Sequence, residues 1–200
     1  MNKVKKPGKR EIKREENKKH ILNLIIDLIL ETGKEPTVDE IALKSSISRR
    51  SIFNYFQDKE RLFIELDNAI KERIIEKFPP VFEKNDHSFE ALLDQMLTYR
   101  TKVYKYITPF HLLAESKKIS NDLLRINSKK NLEQDTERMT LFFSFVLKEK
   151  KKKENIMKMI MSCLSWNNWY YLRSEMGLSI EESRQIMKQQ IKAFCNSSFE

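Results

Sequence analysis

Three glycines and five prolines in two hundred residues leave this chain few places to turn sharply. A β-sandwich or barrel of this length needs many tight turns, most of them built on glycine, proline or asparagine. What fills the sequence instead is Lys, Glu, Leu, Ile, Met and Gln, which helices favour or tolerate. The expected fold class is therefore all-α, with about nine helices and no convincing strand. Two hundred residues can bury a working core without a disulfide or metal staple. Cys163 and Cys195 lie in apolar helical stretches without metal-ligand spacing, and read as small buried hydrophobes in a reducing compartment. No metal or cofactor is expected. The start of the chain is charged and lacks the apolar segment of a secretory signal. The longest apolar run, Leu24 to Leu30, contains Asp27 and is too short to span a bilayer. These features point to a cytoplasmic protein that does not enter a membrane.

Periodicity and caps divide the chain. Ile21, Leu22, Ile25, Leu28 and Ile29 form one face of a first helix, expected from about Ile12 to Thr32, with Gly33 ending it. Thr37 and Glu40 make a capping box that opens a short helix to about Lys44. Ser45-Ser46-Ile47 turns the chain, and Ser48 caps a second short helix, Arg49 to Tyr55. Asp58 caps a long helix to about Lys77, stopped by Pro79-Pro80. Beyond the polar break Asn85-Asp86-His87-Ser88, helices are expected from Ser88 to about Tyr106, from Thr108-Pro109 to Leu113 and over 119–126. Further helices are expected from Asn131 to about Lys148 and, uninterrupted, from Asn155 to Glu175. Ser179 and Glu182 form a last capping box before a final helix to about Phe194. The division that follows is a flexible basic arm at 1–10, a helix-turn-helix domain at 11–58, a connecting helix at 59–78, and a helical body at 79–200. The architecture is thus an N-terminal three-helix head on a helical-bundle regulatory body.

The formal charge is +9. A basic chain suits a polyanion, either nucleic acid or an anionic membrane surface. The first sixty residues favour nucleic acid. Two short helices joined by about four residues can cross steeply, one lying over the DNA backbone while the next enters a major groove roughly 12 Å wide. Ser48, Arg49, Arg50 and Ser51 open the second of them, while Ile52 and Phe56 are spaced to anchor it. Arginine can pair with guanine or phosphate, and Asn54 can read adenine or hold a phosphate. Tyr55 and Lys59 sit where this helix hands over to the next, whose N-terminus attracts anions.

The stretch Ile41 to Leu62 resembles the DNA-binding head of TetR-type regulators, whose pattern runs roughly I-A-x-x-A-G-V-S-x-G-T-L-Y-x-Y-F-x-x-K-E-x-L. Ile41, Ala42, Ser48, Tyr55, Phe56, Lys59, Glu60 and Leu62 match it, and Ile47, Ser51 and Ile52 are close substitutes. Met176 to Glu182 also resembles the G-L-S-x-E-E start of the family's last helix. The resemblance implies phosphate contacts from Thr37, Tyr55 and Lys59, and a groove face of Arg49, Arg50, Ser51 and Asn54. Three positions depart from the pattern. Ser46 replaces the turn glycine, Arg50 a glycine in the recognition helix, and Phe53 a tyrosine. Together they imply an unusual operator. The arm bearing Lys3, Lys5, Lys6, Lys9, Arg10, Lys13 and Arg14 is either a solubilising tail or a strand along the DNA backbone or minor groove. The lysine run at 148–153 reads as a solvated helix junction.

In the body, Ile156, Met159, Ile160, Cys163 and Trp166 cover one sector of a helix, and Met157, Met161, Leu164 and Tyr171 another. One sector can pack in the chain's own core and the other is expected to meet another copy of the chain, giving a homodimer that reads a palindromic duplex and making 79–200 the dimerisation domain and, by the resemblance, the ligand-binding domain. The resemblance implies the same dimer, a small effector among the middle helices, and the role of repressor. Tyr99, Tyr106, Phe110, His111, Phe142, Trp166, Trp169 and Tyr170 could line a pocket for an apolar or aromatic ligand. Aromatics at such spacing equally serve as core. No enzyme is expected, because the three histidines are scattered and no phosphate-binding or nucleophile motif occurs. The rival reading is a basic helical protein that binds a membrane surface or protein partner through a degenerate head.

Overall fold

A computed structural model describes residues 8–79, 88–118, 121–147 and 153–196, without the side chains of 59, 118 and 145–147. Its described residues form nine α-helices and no strand. They are α1 (Lys9–Thr32), α2 (Val38–Ser45), α3 (Arg49–Phe56), α4 (Lys59–Lys77), α5 (Phe89–Lys118), α6 (Asp122–Leu147), α7 (Lys153–Cys163), α8 (Trp166–Ser174) and α9 (Ile180–Asn196). None is long and apolar enough to cross a membrane.

The chain packs as two units. The first holds residues 1–77 together with 108–127, and the second holds 78–107 and 128–200. In the first, α1 lays Ile21, Leu22, Ile25, Ile26, Leu28 and Ile29 inward, against α2, α3 and α4. Ile41, Ile52, Phe56 and Leu66 meet them as buried residues. The capping signals act as expected. Gly33 adopts a left-handed φ of 67° and returns its N–H to the Ile29 carbonyl at 2.9 Å. Asp58 Oδ1 accepts the Arg61 N–H at 2.7 Å, which starts α4. Ser88 Oγ accepts the Ala91 N–H at 3.3 Å, and Ser179 Oγ the Glu182 N–H at 3.1 Å. Lys117 forms an ion pair with Glu35 and stands over the Phe63 ring at 4.8 Å, so the last turns of α5 belong to the first unit.

The second unit buries Leu93, Met96, Leu97, Tyr104, Phe143, Ile156, Ile160, Leu164, Trp169, Leu172, Met187 and Ile191. Three expectations are corrected here. Thr108-Pro109 does not open a new helix, because α5 runs through Pro109. A proline fits helical φ and forfeits one backbone hydrogen bond, which helical turns on both sides can bear. The pieces expected at 119–126 and from Asn131 join as α6 over their described residues, with no breaker between them. The helix expected from Asn155 to Glu175 is instead two. Ser165 takes an extended ψ of 150° and caps α8 by accepting the Asn168 N–H at 3.1 Å. Leu164 thereby loses the helical partner of its carbonyl.

That carbonyl is satisfied from α5. The Tyr104 hydroxyl donates to it, and Arg100 Nη1 donates at 3.3 Å. Arg100 Nη2 also grips both Asp135 oxygens at 2.9 Å, and Nη1 reaches the Tyr104 hydroxyl at 2.9 Å. Burial opposes the guanidinium charge, but Tyr104 and Asp135 outweigh it and raise the Arg100 pKa, while burial raises that of Tyr104. A buried charge stripped of its partner is costly, so Asp135→Ala is expected to lower stability by about 2–3 kcal/mol. Urea unfolding of Asp135→Ala and of the double variant Arg100→Met/Asp135→Leu checks this, the double variant losing less than the sum of its two single changes.

Candidate nucleic-acid interface

The recognition element is built from short local signals. In α2, Thr37 Oγ1 accepts the Glu40 N–H at 3.2 Å, and Glu40 Oε2 accepts the Thr37 N–H at 2.7 Å. The Thr37 backbone N–H, then its hydroxyl, hold the Glu40 carboxyl below its ordinary pKa. Ser46 follows α2 with φ 56° and ψ 26°, a left-handed conformation that costs an L-residue energy. Buried Ser45 steadies the turn, its Oγ accepting the Ile47 N–H at 3.2 Å. Ser48 then caps α3, its Oγ accepting the Ser51 N–H at 3.2 Å.

Within α3, Ile52 and Phe56 are buried on the core side. Arg49, Arg50, Phe53 and Asn54 are exposed, as is Ser48 before them, while Ser51 and Tyr55 are half-buried. Arg49 Nη1 lies 3.0 Å from Asp39 Oδ1, both side chains being more than 60% exposed. Such a pair is weak and screened by salt, so Arg49 can exchange Asp39 for phosphate. Arg50 has no ion-pair partner among the described residues. Thr37 stands exposed at the start of α2, but its hydroxyl donates to Glu40 Oε2 at 2.9 Å, so phosphate would compete with a carboxylate there. Lys59 begins α4, and its side chain lies outside the described residues.

The beginning of α1 corrects the expected arm. Lys9 and Arg10 are helical, although 1–7 lie outside the described residues. At about 100° per residue, Lys9, Arg10, Lys13, Arg14 and Asn17 share one face, with Glu16 at its edge beside Lys9, while Glu11 and Glu15 point elsewhere. Sequence reasoning missed what this face does next. Arg14 Nη2 donates to the Asn54 carbonyl at 3.2 Å, and Asn17 Nδ2 donates to the Tyr55 hydroxyl at 2.9 Å. The five-residue face was readable from spacing, but its meeting with α3 was not.

Residues 21–66 match the family of bacterial regulatory proteins described as tetR. Residues 21–66 are thus similar to the DNA-binding head of that family. A transcriptional regulator from Rhodococcus sp. Rha1 has a similar crystal structure, with a TM-score of 0.66 at 12% identity, covering 88% of this chain and 95% of that one. At such identity the likeness concerns the fold. No protein of curated function matches the sequence. In this head, Ser46 makes the turn with the positive φ that a glycine takes freely. Arg50 and Phe53 put a cation and an apolar ring on the outward face of the recognition helix α3.

The aromatic residues named for a ligand pocket are divided between the two units. Phe110 and His111 belong to the first unit, and Tyr99, Phe142, Trp166, Trp169 and Tyr170 to the second, as does Tyr106. Trp166 and Trp169 are buried core, Trp166 stacked on Tyr170 at 4.6 Å and Trp169 tilted on Tyr104 at 5.7 Å. Phe142 packs on Phe143, while burial raises the Tyr99 pKa. A groove of about 270 Å³ on α7, α8 and α9 is lined by none of them, but by Met159, Ser162, Cys163, Asn168, Gln190 and Phe194. Both sectors of the expected helix contribute to the core of the second unit, with Ile156, Met157, Ile160 and Leu164 buried, while Met159 and Tyr171 are exposed.

Ser46→Gly removes the left-handed penalty but adds disorder to the unfolded chain. The expected net gain is about 0.5–1 kcal/mol, whereas Ser46→Val should destabilise the head, both read from thermal unfolding.

Proposed function

We propose that this chain is a homodimeric transcriptional repressor acting in the cytoplasm, which reads a palindromic duplex through α3. The observation that carries this reading is the outward edge of α3, with Arg49, Arg50, Phe53 and Asn54 exposed while Ile52 and Phe56 hold the helix from beneath. Arg50, Ser51 and Asn54 face base edges, and Phe53 offers an apolar surface to a thymine methyl. Ser48, Arg49, Tyr55 and Lys59 hold phosphates, joined by Thr37 when its hydroxyl turns from Glu40. Lys9, Arg10 and Lys13 add salt-dependent affinity along the backbone.

Selection of bound duplexes from a random pool, followed by anisotropy titration, tests the reading. Arg50→Ala is expected to change preference at one base pair by about 1–3 kcal/mol. Lys59→Ala should weaken all duplexes alike and flatten the salt slope by roughly one charge. Equal loss on every sequence for both variants would overturn these roles. Tight binding to anionic vesicles with no duplex preference would favour a membrane-surface protein instead.

The second copy is proposed to sit on the groove of α7, α8 and α9. Met159 is partly exposed at its edge, and Tyr171 and Met176 are exposed on α8 and just beyond it. A dimer sets two α3 helices roughly 34–36 Å apart on successive major grooves. Met159→Glu places a charge in this face and is expected to weaken dimerisation at least about tenfold, as read by sedimentation equilibrium. Unchanged association would move the interface elsewhere. Release by a small apolar or aromatic ligand completes the proposal. Such a ligand acts only by binding more tightly to a body state that misplaces the heads. Tyr99, Phe142 and Tyr170, half-buried in the second unit, are the side chains best placed to meet it.

A further inference from the structure

Two side chains of α1 reach the far end of the recognition helix. Arg14 donates to the Asn54 carbonyl at 3.2 Å, and Asn17 donates to the Tyr55 hydroxyl at 2.9 Å. Both stand before Ile21, the first buried residue of α1, so neither belongs to the apolar core of the head.

The Asn17 contact has a chemical consequence. A phenol oxygen carries one hydrogen and accepts close to the ring plane. With an amide hydrogen occupying one side, the hydroxyl hydrogen turns to the other. Tyr55 is then set as a donor toward whatever approaches from outside. A phosphate oxygen can only accept, so it meets a hydrogen already aimed rather than one that must first rotate.

Arg14 acts on the backbone of the same segment. The last four carbonyls of a helix lack helical partners, and a cation there also suits the negative end of the helix dipole. Asn54 contributes one of those carbonyls. Because α3 has only eight residues, fixing its end fixes the direction of the whole helix.

We propose that Asn17 and Arg14 are positioning residues for DNA binding: Asn17 presets the Tyr55 hydroxyl as a hydrogen-bond donor to a backbone phosphate, and Arg14 anchors the end of α3 that carries Asn54 and Tyr55. This rests on the reading of α3 as the DNA-contacting helix. It assigns a role to a helix face that makes no base contact itself.

The test is a double-mutant cycle on the full chain, with affinity for a random-sequence duplex read by fluorescence anisotropy. Tyr55→Phe should weaken binding about fivefold, the loss of one hydrogen bond, and Asn17→Ala about twofold, since the hydroxyl must then choose between its two in-plane orientations. Combined, they should weaken it no further than Tyr55→Phe alone, because Asn17 acts through the hydroxyl which that change removes. Asn17→Gln, which keeps an amide donor, should recover much of the loss, and thermal unfolding of Asn17→Ala should be unchanged. For Arg14, the readout is discrimination between a selected duplex and the random one. Arg14→Ala should lower it, and Arg14→Gln, which retains N–H donors for the carbonyl, should preserve it.

Wild-type affinity in Asn17→Ala, or a loss that persists undiminished in the Tyr55→Phe background, would overturn the part given to Asn17. Equal discrimination by wild type, Arg14→Ala and Arg14→Gln would overturn that of Arg14. In each case the wild type still binds duplex, so the DNA-binding reading survives. A wild-type chain that binds no duplex overturns both.

Discussion

The burial of Ile52 and Phe56 against α1 is the contact on which the head depends. An eight-residue helix is too short to hold itself in water. Its shape comes from those two side chains, each at 3% exposure, which clamp one edge of α3 to the wall of isoleucines and leucines on α1. Burying one such side chain is worth about 1.5–3 kcal/mol, more than any single exposed ion pair on the head. Once that edge is fixed, the opposite edge has to face outward. Arg49, Arg50, Phe53 and Asn54 are presented as a consequence of packing, with only the exposed Arg49–Asp39 pair and the Arg14 bond to the Asn54 carbonyl beside it.

The polar contacts around this anchor refine direction rather than supply stability. Ser48 sets where α3 starts, Ser45 and Ser46 set the angle at which it leaves α2, and Arg14 and Asn17 hold its end. Each is a single hydrogen bond or one unfavourable φ, worth about 1 kcal/mol. The same logic recurs in the second unit, where Arg100, Tyr104 and Asp135 close over the Leu164 carbonyl. That cluster satisfies the carbonyl left without a helical partner where α7 and α8 part.

The two units share α5 and α6. Residue 108 begins the portion of α5 counted with the head, next to Pro109, where the helix lacks one backbone hydrogen bond. The head's own contacts include Lys117 with Glu35 and Asn127 with Asp67, so residues from the middle of the chain take part in the unit that carries α3.

The sequence by itself determined the helical class, the starts of α2, α3, α4, α5 and α9, and the inward faces of α1 and α3. These depend on residues within four positions of one another: a serine and the N–H three residues on, a glycine after a last turn, isoleucines one turn apart. Resemblance to the TetR pattern was legible for the same reason, since its motif is local. Only the tertiary structure decided that α5 passes through Pro109, that α7 and α8 part at Ser165, and that Trp166 and Trp169 are core. It also decided that α1 reaches across to Tyr55. Two of those outcomes involve groups far apart in the chain: sixty residues between Tyr104 and Leu164, thirty-eight between Asn17 and Tyr55. Periodicity cannot register such pairs, because whether a carbonyl or hydroxyl finds its partner is settled only when distant helices lie side by side.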